Sequence, residues 1–213
     1  MKIMEFLKKI GRGIVKGAIY IYCKIVYRLE IIGKENIPKD EATIFCGNHR
    51  TYLDPPLIVA TAGRHMRFMS KEELAENKFL AFLGLVFDAI YVKRDSKDIT
   101  AMKEALKTLK SGGCIGLFPE GTRNGFEKND GKIKNGAAYL ALKTGANLLP
   151  IGIQGDSKPF HKSTIIYGKP LDLSKYQGLK KVDEQTENEV SELLKNEIIR
   201  LSTTDIKMLE AKN

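Results

Sequence analysis

Two polar breaks in this chain hold side chains that could move a proton and grip an anion. The first is "GNHRTYLDPP", Gly47 to Pro56, where His49 and Asp54 stand with four residues between them directly after the apolar run "ATIFC". An imidazole with one nitrogen hydrogen-bonded to a carboxylate leaves its other nitrogen basic and able to take a proton from an alcohol. That is a His–Asp pair working without a serine. The stretch also reads as a plain turn. Asp54 suits the N-cap of a helix and Pro55 its first position, so capping alone would account for the aspartate.

The second break is "LFPEGTRNG", Leu117 to Gly125. Pro119 ends a strand ladder, Gly121 permits a close turn, and the planar fork of Arg123 matches a phosphate or a carboxylate. A solvated turn with a Glu120–Arg123 surface pair is the plainer alternative. A third stretch, "YVKRD", sets Lys93 and Arg94 together at another strand end, where a solvated charge pair is the alternative.

Other chemistries lack their signatures. There is no G-x-S-x-G elbow and no G-x-x-x-x-G-K-[ST] loop, and "GGCIG" at 112–116 lacks the G-x-G-x-x-G spacing. His49, His65 and His161 are scattered, with no close pair to hold zinc. Cys23, Cys46 and Cys114 are isolated, which points to a reducing compartment. Strand alternation does not aim Cys46 at His49, so Cys46 reads as core.

Each break follows an apolar run, and such runs alternate with helical patterns. Strands are predicted at 27–32, 42–47, 66–70, 89–94, 114–119, 148–154 and 164–168. Helices are predicted at 55–62, 71–85 in broken form, 96–111, 134–145 and 184–202. The alternation implies an α/β fold, a central sheet covered by helices on both faces. Ligand sites in such sheets lie beyond the carboxyl ends of strands, which is where both polar breaks fall. Pro150 in "LLPIGI" predicts an edge or bulge position. In the last helix Val190, Leu193, Leu194, Ile198 and Leu201 share one face, the spacing of a helix docked on the sheet.

Apolar residues make up 43% and charged residues 29% of the 213, a globular balance in a chain long enough for one domain with a proper core. The net charge of +9 favours an anionic partner. Eight Lys and Arg against Glu5 and Glu30 put 8 − 2 = +6 of it within residues 1–34. There Ile3, Phe6, Leu7, Ile10 and Ile14 fall on one side of a helix and Lys2, Lys9, Arg12 and Lys16 on the other. Gly11, Gly13 and Gly17 are placed to bend it. Lysines interrupt the apolar part too often for a transmembrane span or a signal peptide. The pattern predicts an interfacial helix or helix pair on anionic lipid, with an ordinary core-packed helix as the alternative. Nucleic acid is not expected, because no motif or aromatic–basic stripe accompanies the charge.

Taken in order, four stretches resemble the PlsC-type glycerophospholipid acyltransferases, the 1-acylglycerol-3-phosphate acyltransferase family. "NHRTYLD" resembles the family's N-H-x-x-x-x-D block and "FPEGTRN" its F-P-E-G-T-R-S block, with Asn124 at the usual serine. "AIYVKR" and "LLPIGI" are similar to its second and fourth blocks. The resemblance covers roughly residues 29–170. It implies a mixed central sheet flanked by helices, with residues 1–27 as a membrane-docking segment and 28–213 as the acyltransferase domain. It makes His49 the general base and Asp54 its orienting partner. It gives Glu120, Gly121, Thr122 and Arg123, with Arg94 and Lys93, to the acceptor phosphate. The implied reaction takes an acyl group from acyl-coenzyme A or acyl-carrier protein to lysophosphatidic acid, with no metal or other cofactor. The implied location is the cytoplasmic face of the membrane, peripheral or monotopic. Glycerol 3-phosphate or another lysophospholipid as acceptor is the nearest alternative. A non-catalytic protein binding anionic lipid is the alternative of another class.

Overall fold

Seven apolar runs become strands close to where the pattern marks them: β1 (Glu30–Ile32), β2 (Thr43–Gly47), β3 (Met66–Lys71), β4 (Ile90–Val92), β5 (Cys114–Leu117), β6 (Asn147–Gly155) and β7 (Ser163–Tyr167). The computed structural model describes residues 2–93, 99–124, 126, 131, 133–156, 158–176, 182–206 and 208, with side chains from Phe6 onward. Among these, the strands form one sheet in the order β1-β7-β6-β2-β5-β3-β4. Its pairs are parallel except β6–β7, so the sheet is mixed, as expected. Every residue of β2 and of β5 is buried, the result for uninterrupted apolar runs covered on both faces.

Helices α1 (Lys2–Val26), α2 (Asp54–Thr61), α3 (Lys78–Val86), α4 (Ile99–Lys110), α5 (Gly136–Thr144) and α6 (Glu184–Thr203) flank the sheet. Among the described residues, two large hydrophobic clusters and a small one lie against it. Of the large two, one joins Ile44, Ile115 and Leu148 to α4, α5 and α6; the other joins Phe45, Leu149 and Ile151 to α1 and α2. In α6, Val190, Leu194, Ile198 and Leu201 are buried, whereas Leu193, expected among them, is 44% exposed. The buried stripe is narrower than the spacing suggested.

Pro150 does not mark an edge. Strand β6 lies inside the sheet, between β7 and β2. The Pro150 carbonyl accepts from Gly168 N on the β7 side (2.9 Å), so its ring nitrogen faces that side too. The ladder with β7 begins only at Ile151, and the missing N–H falls where β7 has ended.

The N-terminal segment is one helix rather than a broken pair. A Cβ built at any of its glycines would meet nothing within 4 Å, and they do not interrupt it. Val15, Ile19 and Cys23 pack on the core. The basic side is partly engaged by the protein itself. Arg12 Nε donates to Val86 O (2.7 Å), its guanidinium also pairs with Asp88, and Lys16 Nζ donates to Arg64 O (3.2 Å). Burial, and then the charge of Lys34, lower the Lys16 pKa. The apolar side is left facing outward. Among the described residues, no helix is long and apolar enough to cross a membrane.

All three cysteines are free and buried. Burial pushes the Cys23 thiol up to about 11 and raises those of Cys46 and Cys114. All three should therefore resist a thiol reagent in the native protein at neutral pH and react together once it is unfolded. Rapid native labelling of any of them would contradict this packing.

Candidate active site

Strands β2 and β5 are parallel neighbours, so the loops that follow them leave the sheet side by side. This brings the two polar breaks together although 71 residues separate His49 from Glu120. The Asn48 side chain fixes the first loop to β6. Its Nδ2 donates to Ile153 O (3.0 Å) and its Oδ1 accepts from Ile153 N (2.7 Å). The second break clamps the first at the backbone of His49. Glu120 Oε1 accepts from His49 N (2.6 Å), and Asn124 N donates to His49 O (2.7 Å).

His49 then has little freedom. Its Nδ1 lies 2.9 Å from Asp54 Oδ2, and its ring stacks on Phe118 with centroids 4.1 Å apart and planes 13° apart. The imidazole is 18% exposed and the Asp54 side chain 4%. Asp54 does not cap α2, as its position before Pro55 suggested. It is the first helical residue, and the cap position belongs to Leu53, which makes no side-chain bond. The carboxylate reaches backward instead. Oδ2 accepts from Arg50 N (2.6 Å) and Thr51 N (2.7 Å), and Oδ1 accepts from Thr51 Oγ1 (2.9 Å). A carboxylate that accepts from three donors is best placed to accept from Nδ1–H too. That sets the tautomer and leaves the lone pair on Nε2.

Glu120 is not paired with Arg123 at the surface. It is 3% exposed, and besides His49 N it accepts from Phe126 N (2.9 Å), so its carboxylate ties the turn together. Gly121 has φ +68°, and a Cβ there would stand 2.7 Å from Lys134 Cε and 3.2 Å from its Nζ. Glycine suits this position because of its left-handed backbone, whereas the flexible end of the lysine lying across it could move aside. Asn124 has φ +53°, a conformation that asparagine tolerates better than most residues. Arg123 is exposed, and its guanidinium lies 3.9 Å from the centroid of the Tyr52 ring while Nη2 donates to the Tyr52 hydroxyl (3.0 Å). Thr122 is half-buried in the same turn. Lys93 follows β4 at the same carboxyl end of the parallel strands, two strands from β5, and is exposed. Arg94 lies outside the described residues.

The site therefore joins a positioned imidazole to an arginine on the adjoining turn. That combination can deprotonate a hydroxyl on a molecule that also carries an anion. Residue types alone did not single out Asn48, Tyr52, Phe118 or Lys134. Asn48 and Phe118 directly follow buried strands, and that place is the one signal available for them. A groove of about 790 Å³ along α6, lined by Tyr176, Glu189 and Leu193 among others, contains none of the site residues.

The Acyltransferase family model matches residues 28–154. A protein of Borreliella burgdorferi named 1-acyl-sn-glycerol-3-phosphate acyltransferase is 34% identical over 141 residues, 65% of this chain and 56% of that protein. The match thus spans little over half the length of that relative. A Bacillus subtilis protein of the same name is 30% identical over 149 residues, 67% of this chain and 73% of its own length. The crystal structure of the 1-acyl-sn-glycerophosphate acyltransferase PlsC from Thermotoga maritima superposes with a TM-score of 0.70 at 25% identity, covering 96% of this chain and 85% of that one. With the family model spanning both clamped loops and more than half of the sequence, this chain belongs to the acyltransferase family.

Proposed function

We propose that the chain transfers an acyl group from an acyl thioester to the sn-2 hydroxyl of 1-acylglycerol 3-phosphate, giving phosphatidic acid. The observation that carries this reading is the His49 ring, fixed by Asp54 in a loop clamped to the turn that presents Arg123. The names of the Borreliella, Bacillus and Thermotoga proteins supply the acceptor class.

Nε2 takes the proton of the acceptor hydroxyl as its oxygen bonds to the thioester carbonyl carbon. The adduct collapses, the C–S bond breaks, and the imidazolium returns the proton to the departing sulfur. Asp54 steadies the imidazolium between these steps. The thiol is that of coenzyme A or of acyl-carrier protein. The chemistry needs no covalent enzyme intermediate, metal or further cofactor.

Arg123 meets the acceptor phosphate with two parallel hydrogen bonds. Lys134 across Gly121 adds charge, as do Lys93 and Arg94 beyond β4. Thr122 borders the same turn, and Glu120 holds it in place rather than touching the phosphate. Exposed Lys8 and Lys9 and the outward apolar side of α1 keep the enzyme on anionic lipid at the cytoplasmic face.

An acceptor series tests the reading. Arg123→Ala should raise KM for lysophosphatidic acid by at least ~10-fold, a charge-assisted pair being worth about 1.5–3 kcal/mol. Lys134→Ala should raise it less. The slow rate with uncharged monoacylglycerol should hardly change, because that acceptor has no phosphate to lose. Equal losses on both acceptors would place the phosphate elsewhere, and a preference for glycerol 3-phosphate would reassign the acceptor.

A further inference from the structure

Helix α1 shows the solvent a second apolar side, separate from the one that packs on the core. Phe6, Leu7, Ile10, Ile14, Ile21 and Ile25 are 45–68% exposed. At 100° per residue they fall within an arc of roughly 100°. Helix α3 repeats the arrangement. Phe79, Phe82 and Leu85, at i, i+3 and i+6, are 64%, 50% and 75% exposed. Meanwhile Leu83 and Val86 of α3 pack on the same cluster as Val15 and Ile19 of α1. The two helices are also tied directly, since Arg12 of α1 donates to Val86 O at the end of α3 and pairs with Asp88 just beyond it. Two outward apolar stripes thus belong to one packed pair, and an exposed apolar surface of this size calls for an occupant.

We propose that the Phe79–Phe82–Leu85 stripe of α3 enters the lipid surface together with α1, so that the enzyme rests on the bilayer on two helices. The inference rests on the docking of α1 given above. Lipid is favoured over a second copy of the chain by the charge that flanks the stripes: at 100° per residue exposed Lys9 lies about 60° from the edge of the α1 arc and exposed Lys78 falls within that of α3, and both suit anionic headgroups. Exposed Glu72, Glu73 and Glu76 precede α3 and outnumber Lys78, so the net hold of α3 on lipid is apolar rather than electrostatic. Salt should therefore weaken the contribution of α1 and leave that of α3 nearly unchanged.

The test uses the full chain with vesicles of phosphatidylcholine and phosphatidylglycerol. Phe79→Gln, Phe82→Gln and Leu85→Gln together should weaken partitioning by at least ~10-fold, equally at low and high salt, since apolar area drives interfacial binding. Helical content should be unchanged by circular dichroism. In F82C, an environment-sensitive dye attached at position 82 should shift to a shorter emission wavelength on vesicles, and the buried native thiols leave that site selective. Unchanged partitioning of the triple variant with a silent probe would overturn the inference, while a Phe6→Gln, Ile10→Gln, Ile14→Gln variant that loses binding would leave α1 docking intact. A concentration-dependent dimer that the α3 triple variant abolishes, with the probe silent on lipid, would assign the stripe to a second copy and overturn it too. If the unaltered chain ignores vesicles altogether, the docking of α1 fails and this inference with it.

Discussion

His49→Ala should give a folded protein whose acyl transfer is slower by at least ~10²-fold, the usual contribution of a positioned general base. The fold should survive because the clamp on this residue is made by its backbone. His49 N still donates to Glu120 and His49 O still accepts from Asn124 N after the ring is removed. The lost contacts are the stack on Phe118 and the bond to Asp54. KM for lysophosphatidic acid should change little, since the proposed phosphate contact is with Arg123 and not with the imidazole. A melting curve beside the rates separates lost chemistry from lost structure. Near-normal turnover in the folded variant would end this mechanism.

Asp54 should show two different failures depending on the replacement. Asp54→Ala leaves the part-buried N–H groups of Arg50 and Thr51 without their acceptor, at up to about 1–3 kcal/mol each. The loop should loosen, the melting temperature should drop, and turnover should fall as far as in His49→Ala. Asp54→Asn is subtler. Its oxygen can keep the Oδ2 position, with Arg50 N, Thr51 N and His49 Nδ1. Its amide then takes the Oδ1 position, where the Thr51 hydroxyl can turn and accept from it. The loop stays closed but the negative charge beside the imidazolium is gone. Turnover should fall by ~10-fold or more with the melting temperature nearly kept. If Asn restored full activity, Asp54 would serve only to shape the loop.

The strands were legible in the sequence for a simple reason. Runs such as "ATIFC" and "CIGLF" are too apolar and too short for anything but strands buried on both faces. His49 and Asp54 were legible as a pair for a related reason, since a loop leaving such a strand has few places to go. What escaped depends on which strands become neighbours. Glu120 reads as a solvated turn residue until β5 is set beside β2, and only then does its carboxylate meet His49 N. Asp54 before Pro55 reads as a cap because caps are common there, but three donors in the preceding loop compete for the same oxygens. Pro150 reads as an edge or bulge marker because local sequence does not say where β7 will end. In α1 the two sides were read correctly as apolar and basic. Sequence periodicity cannot tell which side turns inward, and Arg12 and Lys16 found carbonyls within the protein.

In the proposed reaction His49 moves a proton between a lysophosphatidic acid hydroxyl and a thioester sulfur. Following thiol release and phosphatidic acid together, by colorimetry and mass spectrometry, in one reaction tests this step. The intact chain with acyl-coenzyme A or acyl-carrier protein and lysophosphatidic acid should release one thiol per phosphatidic acid formed. It should release almost none without the acceptor, and folded His49→Ala should form neither product at a comparable rate. Thiol release that ignores the acceptor, or equal phosphatidic acid from His49→Ala, would contradict the account.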